Sequence, residues 1–360
     1  MIPLFAPDMS PEEQSAMQQC LESGWISSAA PQVAEFERAL ADYTGSPHVV
    51  AVQSGTAALH LALLVHGIGP GDEVLLPTLT FIATANAVRY TGATVVLVDA
   101  EPDTWQMDPA LVEEYLANEN HAVKAILLVH VLGYLADVTV WEDIAERHGL
   151  VLIEDAAGAI GSRLGDRHAG SIAECGILSF NGNKLVTTGG GGAVLCQYAD
   201  VAARVRHLAN QAKLPGPGYD HDLVGYNYRM SGLGAVLGLV QLQRLPDFLD
   251  RHRHLHEFYQ ELFPEAIFPK PVEDSSPNHW LITARMANRD QIQAIFDGAD
   301  IQTRPFWTPM HLQLPYAEDR YLSHHNHSEN IWKEALSFPS GSGLTDRELD
   351  TIREVIVGAR

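Results

Sequence analysis

Between residues 48 and 196 the chain repeats one pattern: a short apolar run, a few small or polar residues, then a stretch with apolar positions three and four apart. The apolar runs predict strands over 48–52, 73–76, 94–98, 125–130, 151–153 and 176–180. Helix-length stretches lie between them, at 56–65, 80–90 and 140–147. Such alternation is the signature of βαβ units around a mostly parallel sheet, so the fold class is α/β. One run breaks the rhythm. Residues 192–196 follow four glycines too closely after the preceding strand for a crossover helix, and are expected to pair antiparallel with a neighbour.

Near residue 242 the texture changes. Arg251, His252, Arg253, His254 and His256 cluster, and Pro264, Pro269, Pro271 and Pro277 punctuate the chain beyond them. A boundary is expected there, giving a large domain over 1–241 with an N-terminal arm and a smaller α/β domain over 242–360. The smaller part offers a strand over 280–286, a helix over 289–297 and a final amphipathic helix opening at Thr345, which has Glu348 at capping-box spacing.

Composition narrows the function classes. A net charge of −22 repels polyanions, so nucleic acid and anionic membranes are not expected partners, and a phosphate-bearing ligand must be gripped by local groups. No stretch approaches the roughly twenty uninterrupted apolar residues of a membrane span. The first residues lack the basic and apolar regions of a secretory leader, which gives a cytoplasmic expectation. Cys20, Cys175 and Cys196 are too scattered for a disulfide framework, and the His-rich tracts at 251–256 and 324–327 lack partners at metal-ligand spacing; no metal is expected.

Candidate chemistry centres on Asp155 and Lys184. Asp155 ends an apolar strand at the carboxyl edge of the sheet, where open α/β folds bind ligands. Lys184 lies just beyond the next strand and is one of only five lysines in a chain that otherwise uses arginine. An amine able to form a Schiff base and move a proton, with a carboxylate for a pyridinium nitrogen, is what pyridoxal 5′-phosphate (PLP) chemistry requires. A buried ion pair would use the same two residues. Gln53-Ser-Gly-Thr runs from a strand into a helix, which aims backbone N–H groups and hydroxyls at a phosphate, with Gly55 allowing close approach and Thr56 adding a hydroxyl; it also reads as a plain N-cap. Ser179 can add another hydroxyl. Phe81 suits stacking on a flat ring, or packing in the core.

Taken in order, Gly24-Trp-Ile-Ser-Ser, Ser54-Gly-Thr-Ala-Ala-Leu, Pro77-Thr-Leu-Thr-Phe, Ile153-Glu-Asp-Ala-Ala, Ser179-Phe-Asn-Gly-Asn-Lys, Thr187-Thr-Gly and Gly225-Tyr-Asn-Tyr-Arg-Met resemble the DegT/DnrJ/EryC1/StrS sugar aminotransferases across nearly the whole chain. The resemblance implies a fold-type-I PLP enzyme with a seven-stranded sheet, acting as a homodimer with shared active sites. It places PLP on Lys184, the ring nitrogen on Asp155 and the phosphate on Gly55, Thr56 and Ser179. Ala57, Phe81 and Asn181 would line the cofactor, and Asn227 would reach the partner's site. L-glutamate would be the donor, with pyridoxamine 5′-phosphate between the half-reactions and a nucleotide-linked sugar as acceptor. For that acceptor Arg229, Arg304 and Lys213 are candidates to grip the diphosphate, and Trp25, Trp307 and His311 to line a sugar pocket, each with ordinary surface or packing roles as alternatives. The Ser179–Lys184 segment and residues 304–313 look most like the branch acting on C4 of UDP-linked 4-keto-6-deoxy-N-acetylhexosamines. A dehydratase of the same family, or an aminotransferase acting on a GDP- or TDP-linked 4-keto or 3-keto sugar, is the alternative; some dehydratases have His for the lysine, which Lys184 argues against. A non-catalytic PLP or nucleotide-sugar sensor is another. Two positions depart from the family pattern: Gly158, where many members have Gln or His, and Gly190, where many have Glu.

Overall fold

The structure is a computed structural model that describes residues 1–118 and 121–359. Its central sheet has eight strands: β1 (His48–Val52), β2 (Glu73–Pro77), β3 (Thr94–Val98), β4 (Val123–Val129), β5 (Val151–Asp155), β6 (Cys175–Ser179), β7 (Gly192–Cys196) and β8 (Arg320–Leu322). They lie in the order β1-β7-β6-β5-β4-β2-β3-β8. β7 runs antiparallel to both β1 and β6, as expected from its short connection, and the other pairings are parallel. The seven strands of the first two-thirds are those expected from the apolar runs. β8 is an addition: a short, partly exposed Arg-Tyr-Leu edge strand from the last third.

Alternation along each strand divides the core. Val50, Val52, Leu76, Leu97, Leu127, Ile153 and Ile177 pack on one face with helix Gly55–Val65 and helix Ala199–Ala209. Val49, Ala51, Leu75, Val96, Ile126, Leu128, Leu152 and Leu178 pack on the other, with helices Pro31–Thr44, Val138–His148 and Gly232–Gln243. Both faces are covered, so the strands read as continuous apolar runs.

A third apolar cluster gathers Leu255, Tyr259, Phe296, Phe338, Ile352 and Ile356 from the last third, together with Ile2. It packs a three-stranded antiparallel sheet (Thr283–Arg285, Ala335–Ser337, Arg304–Pro305) against helices Leu245–Leu262, Arg289–Gly298 and Asp346–Gly358. Thr345 and Glu348 form the expected capping box. The strand expected over 280–286 shortens to Thr283–Arg285, because the chain turns at His279 (φ 51°) before extending. Two segments cross the expected division at 242. β8 joins the central sheet, while Ile2 bridges to Ile301 and Leu4 O accepts from Ser340 N.

Candidate functional site

The carboxyl ends of β4, β5 and β6 and the head of helix Gly55–Val65 open onto one cavity of about 730 Å³. Gly55, Thr56, Phe81, Asp155, Ser179, Asn181, Lys184, Arg304 and Trp307, all singled out from sequence, line it.

The helix head is built for an anion. Ser54 is the N-cap: its Oγ accepts from Ala57 N (3.1 Å) and its carbonyl from Ala58 N (3.0 Å). Of the first four N–H groups, those of Gly55 and Thr56 remain for a ligand. Ala57, expected at the cofactor, is instead buried with its N–H spent on the cap, and it does not line the cavity. A Cβ on Gly55 would stand 2.8 Å from Ser179 Cβ, so glycine is what lets the helix head close on the end of β6 and bring the Ser179 hydroxyl beside it.

Asp155 and its neighbour Glu154 face opposite ways because successive strand residues alternate. Asp155 Oδ2 accepts from Thr84 Oγ1 (2.8 Å) and Oδ1 from Ala157 N (3.1 Å). Burial pushes its carboxyl up, opposed by those two bonds and by the charge of Lys184. Glu154 points away from the cavity and accepts from Gly170 N, Ile172 N and Ala173 N and pairs with His130 Nε2 (2.9 Å), a scaffold that holds the end of β5.

The Lys184 amine is pulled down to about 7 by burial, against the opposing charge of Asp155. A lysine near neutrality can act as nucleophile and base. Its Nζ stands 3.4 Å from the centroid of the Trp280 ring. Trp280, Thr84, Leu4 and Phe5 also border the cavity and were not singled out from sequence. Thr84 sits one turn after Phe81, a weak signal; Trp280 lies in irregular chain whose position nothing in the pattern announces.

Other expected residues lie elsewhere. His311 is occupied by structure: Nδ1 is 2.7 Å from Thr78 Oγ1, the ring stacks on Tyr321 at 3.8 Å, and Nε2 is 3.5 Å from Glu329. It ties the end of β2 to β8 and does not line the cavity. Trp25, Asn227 and Arg229 are exposed and outside it. Lys213 sits over the Tyr219 ring, 5.0 Å from its centroid. Gly190 borders the cavity with open space where a side chain would stand. Among the described residues, no group of three or more His, Cys, Asp or Glu is placed to hold a metal, and no helix is long and apolar enough to cross a membrane.

An amine near neutrality, a buried acid in electrostatic reach of it, and a helix head with two free N–H groups beside a serine hydroxyl fit PLP, which Lys184 would hold covalently, with Asp155 toward the ring nitrogen and Gly55, Thr56 and Ser179 toward the phosphate. Comparison with known proteins agrees. Residues 7–357 match the model of the DegT/DnrJ/EryC1/StrS aminotransferase family. The chain is 38% identical to a GDP-perosamine synthase from Caulobacter vibrioides, over 98% of this chain and 96% of that protein, and 34% identical to one from Escherichia coli O157:H7, over 99% and 97%. Its fold superposes on a putative sugar aminotransferase, Spr1654 from Streptococcus pneumoniae in its PLP form, with a TM-score of 0.91 at 28% identity, covering 100% of this chain and 99% of that one. The chain is thus a PLP-dependent sugar aminotransferase and belongs to the DegT/DnrJ/EryC1/StrS aminotransferase family.

Proposed function

We propose that this protein transfers the amino group of L-glutamate to the C4 carbonyl of a nucleotide-linked 4-keto-6-deoxy sugar. The observation that carries this reading is the Lys184 amine, brought near neutrality by burial in the cavity that also holds Asp155.

Bound PLP supplies an electron sink for the charge left on a carbon when its proton is removed. The chain supplies the rest. Lys184 takes the proton from the α-carbon of the amino acid and, in the return half-reaction, delivers one to the sugar carbon that receives nitrogen. Asp155, held by Thr84 and Ala157, is the carboxylate that would meet the ring nitrogen. Arg304 lines the cavity wall and is exposed, and would supply a cation for a diphosphate. Phe81 and Trp307, 6.0 Å apart between ring centroids, form an aromatic wall suited to a sugar's apolar face.

Part of the site is expected from a second copy. Asn227 and Arg229 follow an exposed segment in which Tyr219, Leu223 and Val224 are 87%, 61% and 86% accessible, an apolar surface that a homodimer would cover. Trp25, also exposed, is grouped with them.

The names of the two relatives favour a GDP-linked acceptor. The second reading, a UDP-linked 4-keto-6-deoxy-N-acetylhexosamine, is favoured by the resemblance of residues 179–184 and 304–313. Incubation with L-glutamate and a panel of GDP- and UDP-linked 4-keto and 3-keto sugars, with products identified by mass spectrometry and NMR, separates them. A 4-amino sugar from the GDP substrate is expected. Amination only of 3-keto sugars, or deoxysugar formed without nitrogen, overturns the proposal.

A further inference from the structure

The Trp280 indole occupies the space that a side chain at position 158 would fill. A Cβ on Gly158 would stand 2.3 Å from Trp280 Cε3 and 2.7 Å from Cζ3, closer than side-chain atoms pack. The indole cannot simply swing aside. It is 5% exposed, its main-chain N donates to Asn278 Oδ1 (2.9 Å), and its Nε1 donates to the carbonyl of Asn183 (2.6 Å), the residue before Lys184. Asn278, itself buried, donates from Nδ2 to the carbonyls of Gly158 (2.9 Å) and Ile160 (2.8 Å). One side chain thus ties the turn bearing Trp280 to the segment after Asp155, while the indole N–H ties it to the loop bearing Lys184.

Over this clamped ring stands the Lys184 amine, 3.4 Å from the centroid. We propose that Trp280 is the positioning residue for Lys184, and that Gly158 is required because it makes room for the indole. A lysine side chain has many rotamers to lose, so an amine that must meet one carbon in two half-reactions benefits from a fixed surface. The aromatic face attracts the protonated amine without admitting water. The inference rests on the reading of Lys184 as the proton-moving amine.

Two measurements on the cofactor-free protein test it, alongside kinetics. The pH dependence of Lys184 acetylation, followed by mass spectrometry, is expected to have its midpoint well below that of an ordinary lysine in the native protein, where burial pulls the amine down to about 7. Trp280→Leu keeps an apolar wall but removes the aromatic face, so the midpoint moves down, and Trp280→Phe returns it toward the native value. A midpoint that stays or rises in Trp280→Leu overturns the positioning role. The second measurement is the thermal unfolding midpoint: Gly158→Ala lowers it in the native background and leaves it unchanged in the Trp280→Leu background, where room exists. Equal losses in both backgrounds overturn the claim that glycine serves the indole. With cofactor, Trp280→Leu loses about tenfold or more in kcat while KM for L-glutamate moves less than about threefold, and Trp280→Phe recovers most of the loss; a loss confined to KM counts against the inference. Lys184→Ala keeps the two failures apart. If that variant turns over, the functional reading falls; if it is dead and the Trp280 results go the other way, only this inference does.

Discussion

Glu154 and Asp155 are adjacent, both acidic and both buried, yet they do different work because a strand sends them to opposite faces. Thr84→Val, which keeps the shape of the threonine and removes the 2.8 Å donor to Asp155, deletes a hydrogen bond to a charged group worth about 1.5–3 kcal/mol. It is expected to lower kcat/KM by about tenfold or more, with a loss of stability no larger than that one bond. Glu154→Ala has the reverse signature. It strands His130 and three backbone N–H groups in the interior and is expected to cost about 3–5 kcal/mol of stability, measured by denaturant unfolding of the cofactor-free protein. A Thr84 variant that unfolds early while keeping its rate would show that the hydroxyl supports the fold rather than the acid.

Among the elements, β7 acts on the site without lining it. A Cβ on Gly192, its first residue, would lie 2.6 Å from Ser54 C and 2.7 Å from Gly55 N, backbone that cannot yield without moving the helix head. Gly192→Ala is therefore expected to weaken binding of PLP and of inorganic phosphate together, while Gly190→Ala, with open space at that position, leaves both unchanged; parallel titrations monitored by absorbance and calorimetry check this. Sequence pattern disclosed the interior strands well because burial on both faces leaves an unbroken apolar run. Residues 48–52, 94–98 and 192–196 match their expected limits. β8 escaped because a three-residue edge strand with a leading arginine has neither run nor alternation. The helix expected over 80–90 begins at Ile82, since Phe81 is the extended N-cap residue, and that shift is what sets Phe81 at the cavity mouth. Asp155 and Lys184 were legible as strand-end chemistry. Trp280 was not: its place depends on a left-handed turn at His279 and on a contact between residues 122 positions apart, information that no local pattern carries.

At the scale of the whole molecule, the join between the sheet and the last third is made in part by histidines kept neutral. His256 and His279 stack with centroids 4.0 Å apart, both meet the hydroxyl of Tyr134 (3.2 and 3.1 Å), and His252 Nδ1 lies 3.0 Å from the carbonyl of His279. Burial pulls His252 down to about 4 and holds both members of the stacked pair well below the usual imidazole range, the pair further depressing His279 by mutual repulsion. His168, buried beside Ala169, is likewise pulled down to about 4. Each has a folded pKa below its unfolded value near 6.5, so between about pH 6.5 and 4 the unfolded chain binds protons that the folded chain refuses. Stability is therefore full above about pH 6.5 and falls as pH drops, by about 1.4 kcal/mol per pH unit for each histidine titrating only when unfolded. Carboxylates act later. Glu13, held down to about 2 by Ser10, Arg244 and Gln241 against its own desolvation, contributes stability that is present above the usual carboxylate range and lost as pH falls through 2. Relief of the negative self-repulsion implied by a net charge of −22 works in the opposite sense. The four histidines, two buried and two half-buried, are expected to outweigh it, and the denaturant midpoint of the cofactor-free protein is expected to fall between pH 6.5 and 4.5, with a shallower slope in His252→Gln. A midpoint that is flat or rises across that window would mean these imidazoles gain water or a counter-charge in solution, and that His252, His256 and His279 do not hold the two parts of the chain together as neutral groups.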